Sequence, residues 1–100
     1  MTEMTLPRLV GSRKAARKIV ESADGPFAGS IVVLNCRELR SAPQSFADEI
    51  VVATLIDGHA VSLTLKDASA EFEGYIRDAA ARRGLPADSI ASMRSSDLQF

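Results

Sequence analysis

The chain carries one cysteine, Cys36, and one histidine, His59. A lone cysteine excludes an intrachain disulfide framework and a cysteine-built structural zinc site. There is no tryptophan and only five residues are aromatic, so the core must be built from Ala, Val, Ile and Leu, with little scope for a deep aromatic-lined pocket. No apolar run approaches the roughly 18 residues of a membrane span. No basic-then-apolar signal segment opens the sequence, and a soluble, cytoplasmic protein is the expectation. Gly-rich phosphate loops, clustered metal ligands and nucleophile triads are also missing; neither a metal nor a cofactor is expected, and the chain reads as non-catalytic.

What is present is ordinary for a soluble domain: 46% apolar and 25% charged residues. One hundred residues suit a single domain with one core, spanning about residues 10–85, and little surplus stability. The net charge of −1 hides a bipolar distribution, with +3 over residues 1–40 and −4 over residues 41–100. Such a chain can favour a charged partner face.

Hydrophobic periodicity orders the chain. Leu6, Leu9 and Val10, interrupted by Pro7, predict an edge strand or extended arm. Ser12 is a helix cap, followed by an apolar stripe at Ala15, Ala16, Ile19, Val20 and Ala23 that Asp24-Gly25-Pro26 terminates. Ile31 to Leu34 is continuously apolar and predicts a strand covered on both faces. A second helix is expected from Pro43 or Gln44 to Asp57, stopped by Gly58. His59 to Leu65 alternates as a strand with one buried face, and a third helix runs from near Ser69 to Arg83 before Gly84-Leu85-Pro86. Ile90 and Met93 suggest a last short strand or helical turn, and the Ser-rich end of residues 87–100 is expected to be loose. The pattern predicts an α/β domain: a mixed or mostly parallel sheet of about four strands packed with about three helices.

The run Ile31-Val32-Val33-Leu34-Asn35-Cys36, then Glu38-Leu39, then Ala42-Pro43-Gln44-Ser45-Phe46-Ala47-Asp48-Glu49 resembles the STAS-like domain family of unknown function. These small bacterial domains are similar in plan to the STAS domains of anti-sigma factor antagonists. Arg13 with Ala16 and the later strand around Leu63 fit the same layout, and the resemblance covers about residues 10–83. It implies a STAS-like fold and a regulatory role in binding a GHKL-type ATPase or serine kinase. In the antagonists an Asp-Ser-Ser-Gly junction carries the phosphorylated serine. Here the corresponding residues are Pro43-Gln44-Ser45-Phe46, so only the second serine remains, and Asn35 stands where STAS-like members tend to carry Asp.

Ser45 is thus the candidate phosphoacceptor, and Arg40, Ser41, Gln44, Ser45, Asp48 and Glu49 are the candidate partner-binding residues. Two capping templates compete there, Ser45 with Asp48 and Ser41 with Gln44. Asp48 and Glu49 read as a solvated helix start that would repel a phosphate on Ser45. Arg13, Lys14, Arg17 and Lys18 read as a solvated basic face. Nothing supports base readout, and a nucleic-acid partner is not expected. Cys36 reads as inert packing, His59 as exposed or capping, and Phe27 as folding back onto the core. Two other readings stay open: a small-ligand or enzymatic crevice near Asn35, Ser45 and His59, where open parallel sheets bind ligands, and a structural, homodimerising subunit.

Overall fold

The computed structural model describes residues 2–23 and 27–94. Four strands, β1 (Thr2–Thr5), β2 (Ile31–Asn35), β3 (Ser62–Lys66) and β4 (Ile90–Met93), alternate with helices α1 (Arg13–Ser22), α2 (Gln44–Val51) and α3 (Ala70–Arg82). The sheet is parallel throughout, in the order β1-β2-β3-β4. The expected small α/β domain is present, without an antiparallel edge. The Asp24-Gly25-Pro26 breaker and the last six residues of the Ser-rich end lie outside the described residues.

Each crossover steps the same way across the sheet. Right-handed connections then put every helix on one face, and α1 packs on α2 while α2 packs on α3. The burial pattern agrees. Met4, Val32, Leu34, Leu63, Leu65 and Ile90 point into the helix layer and are at most 5% exposed. The alternate residues, among them Glu3, Ile31, Thr64 and Ala91, face the other way. β2 is therefore covered on one face, where its continuous apolar run suggested two. Val33 is nonetheless 8% exposed on the open side, hemmed in by Glu3 and Thr64 on the adjoining strands.

Local chemistry sets the boundaries. The hydroxyls of Ser12 and Ser69 accept from the amides of Ala15 and Phe72 at 3.3 and 3.1 Å, capping α1 and α3. Gly84, in the left-handed region at φ 75°, ends α3 as its sequence predicted. α2 is the middle helix and so the most apolar, with Phe46, Ala47, Ile50 and Val51 buried. The Phe46 ring meets Phe72 of α3 at a centroid distance of 6.4 Å; such a pair contributes about 0.5–1.5 kcal/mol beyond its buried area.

Beyond Val51 the helix widens into a π-helical segment, Val52–Asp57. Thr54 is fully buried there and its hydroxyl donates to the Ile50 carbonyl at 2.7 Å. Gly58 follows, but with φ −84°; the left-handed residue is His59 at φ 56°. Gly58 is needed for space instead. A Cβ there would lie 2.8 and 2.9 Å from the carbonyl oxygens of Thr54 and Ala53, and 3.0 Å from the Phe27 ring. Phe27 does fold back onto the core, as expected.

Candidate functional site

The segments after β1 and β2 run side by side. The Arg40 amide donates to the Arg8 carbonyl at 2.8 Å, and Leu9 bridges Ser41 in parallel. The Asn35 side-chain oxygen accepts from the Arg37 amide at 3.0 Å, turning the chain out of β2, and Leu39 anchors the loop against the core. These contacts deliver the chain to Pro43, which is the N-cap of α2 and offers no side-chain cap.

Neither predicted capping box forms. Ser41 lies outside the helix, and Ser45 is its second residue. The Ser45 hydroxyl makes no hydrogen bond with another described residue. It lines a surface cleft of about 160 Å³ together with Arg13, Gln44, Asp48 and Arg82.

The floor of that cleft is ionic. Asp48 is 6% exposed and sits on the middle helix between two arginines. Arg13 of α1 donates to its Oδ2 at 2.6 Å. Arg83, the residue closing α3, donates through Nη2 to Oδ2 at 2.7 Å and through Nε to Oδ1 at 3.3 Å. Hydrogen bonding from Arg83, and then from Arg13, holds the Asp48 carboxyl below its ordinary range, against the opposing effect of burial. Glu49 is half-buried and pairs with Arg17 at 2.5 Å and with Arg13 at 3.5 Å. Arg17 also reaches Asp57 at 3.1 Å, tying α1 to the far end of the π-helical segment.

Two expectations are corrected here. Asp48 and Glu49 are not a solvated helix start, because α2 is the middle helix and its neighbours bring arginines to both. The basic face of α1 is divided: Arg13 and Arg17 turn to α2, whereas Lys14 and Lys18 are exposed. Of the other candidate contacts, Arg40, Ser41 and Gln44 are exposed, and the Gln44 amide nitrogen donates to Asp78 of α3 at 3.3 Å. Arg82 and Arg83 were not singled out in the sequence. The available signal was the concentration of arginine at the end of α3, but nothing in one helix's periodicity shows which carboxylate on another helix it meets.

Asn35, Ser45 and His59 do not share a crevice. Asn35 ends β2 and Ser45 opens α2, both at the carboxyl end of the sheet. His59 precedes β3 at the opposite end, where its carbonyl accepts from the Gly29 amide at 3.2 Å. It is exposed. The Cys36 thiol is buried and donates to the Leu34 carbonyl at 3.4 Å. Burial, and secondarily the charge of Asp67, pushes it up to about 12, so it is not a nucleophile at neutral pH. Among the described residues no group of three or more His, Cys, Asp or Glu could hold a metal ion. No helix among them is long and apolar enough to cross a membrane.

Comparison with family models, with characterised proteins and with solved structures finds no match.

Proposed function

We propose that this chain is a regulatory domain that acts by binding another protein, through the start of α2 and the loop before it, and that Ser45 is its phosphoacceptor. The observation that carries this reading is the position of Ser45. Its hydroxyl is not engaged in capping and stands in a surface cleft beside Arg13 and Arg82. A phosphate brings a charge of about −1.5 to −2. The first turn of a helix favours it by about 0.3–1 kcal/mol. The repulsion expected from Asp48 and Glu49 is offset, since both carboxylates are already matched by arginines. A phosphate there would share Arg13 with Asp48 and Glu49 and compete with Asp78 for Arg82, turning the charge that the cleft presents to a docked protein towards negative. A docked protein face feels the added charge with less solvent screening than the exposed helix start does, so binding responds more than folding, and a change of about 1.4 kcal/mol there is tenfold in affinity. The resemblance to STAS-like domains favours a GHKL-type ATPase or serine kinase as the partner.

The test is affinity isolation from the chain's own cells with wild-type, Ser45→Ala and Ser45→Asp proteins. Recovery of an ATPase-type kinase by wild type and Ser45→Ala, weakened by Ser45→Asp, supports the proposal. Equal recovery by all three, with no phosphate on Ser45, rejects the switch.

A further inference from the structure

The sheet has two faces and the helices use one. Parallel sheets occur almost only with both faces covered, yet here the second face carries Val33 at its centre, Ile31 at 45% exposure, and Ala91 and Met93 on β4. This face also carries one acid and one base. Glu3 lies on β1 in the row of Val33 and Thr64; Lys66 lies on β3 in the next row, with Asn35 and Met93. Strand spacing and rise put Glu3 and Lys66 about 12 Å apart, beyond the Debye length of about 8 Å at physiological salt. Neither makes an ion pair with a described residue.

We infer that the open sheet face is covered by a second copy of this chain. A two-fold axis lying in the interface and passing over β2, between Val33 and Asn35, carries Glu3 of one copy onto Lys66 of the other and the reverse. One placement thus forms both ion pairs, as a self-complementary interface requires. The same axis sets Val33 beside its own counterpart in the middle of the contact. Four strands about 4.8 Å apart and four or five residues long cover roughly 300 Å² of plane. Allowing for side-chain relief, two such faces bury on the order of 1,000 Å², the low end for a specific interface. The dimer is therefore weak, with dissociation in the micromolar range. It leaves the Ser45 cleft free, since that cleft lies in the helix layer.

The test is sedimentation velocity of the full chain from about 5 to about 500 µM, a span that brackets micromolar dissociation. The expected result is a mass rising from 10.7 kDa towards twice that value. Glu3→Lys and Lys66→Glu, each placing two like-charged pairs across the axis, should weaken association at least tenfold. The double exchange should restore it. Far-UV circular dichroism checks that these surface variants stay folded. A chain that remains monomeric throughout overturns the inference, and so does a dimer indifferent to both single substitutions or not rescued by the double.

Discussion

At its start, α2 places the Asp48 carboxylate between Arg13 and Arg83 under a cleft open to solvent. At its end the same helix widens into a π turn, seals Thr54 on the Ile50 carbonyl and closes against Gly58, where there is no room for a Cβ. The start is held chiefly by charges around a nearly buried carboxylate. The end is held chiefly by backbone proximity and a buried hydroxyl, with the exposed Arg17–Asp57 pair at its surface. The difference shows where a regulatory event can enter this helix layer: the start can be rebalanced without unpacking the core, whereas the end cannot.

The largest effect should come from stripping the start of its counter-charges. Arg13→Ala with Arg83→Ala leaves Asp48 buried and uncompensated, which costs about 3–5 kcal/mol, read by urea unfolding at neutral pH. Gly58→Ala tests the other end. Its φ is permitted to alanine, so the cost is steric only, about 1–3 kcal/mol for an overpacked site. Thr54→Val removes one buried hydrogen bond at nearly constant shape and should cost about 1 kcal/mol. The smallest effect is expected at Lys14 and Lys18, whose replacement by Ala should stay within about 0.5 kcal/mol.

Acid separates the two ends further. The folded-state pKa of Asp48 lies below its unfolded value because Arg83 and Arg13 bind the carboxylate. The stability it contributes is present above the ordinary carboxylate range and is lost as pH falls through the depressed folded value. Glu73, held low by Arg77 and then by Ser92, contributes with the same sign. Unfolding midpoints of wild type should fall on acidification, and Asp48→Asn should show a shallower fall. Gly58→Ala and Thr54→Val should run parallel to wild type, since neither touches a titrating group.

Much of the fold was legible in the sequence. Ser12, Ser69 and Gly84 are local signals with local causes: the serines open α1 and α3, and Gly84 ends α3, where expected. The apolar stripes of α1 and α3 and the alternation of Leu63 and Leu65 name the buried faces correctly, although β3 begins at Ser62 rather than His59 and Val61 is exposed. What the sequence did not show is how the layers are distributed. A continuous apolar strand reads as covered on both sides, but the one-way order of the crossovers puts all the helices on one face. That order also makes α2 the middle helix, which turns Asp48 and Glu49 from surface acids into ion-pair partners. Ser45 is the first-turn serine its sequence position suggested, but neither the Ser41 nor the Ser45 capping template formed, because Pro43 opens the helix without a side-chain donor or acceptor.

The most direct test of the phosphoacceptor role is site-resolved mass spectrometry of the chain purified from its own cells. It should be paired with a titration of the isolated partner by the phosphorylated and phosphatase-treated forms. Phosphate on Ser45 and at least tenfold weaker binding by the phosphorylated form are expected. An unmodified Ser45, or equal affinity of the two forms, would contradict that role.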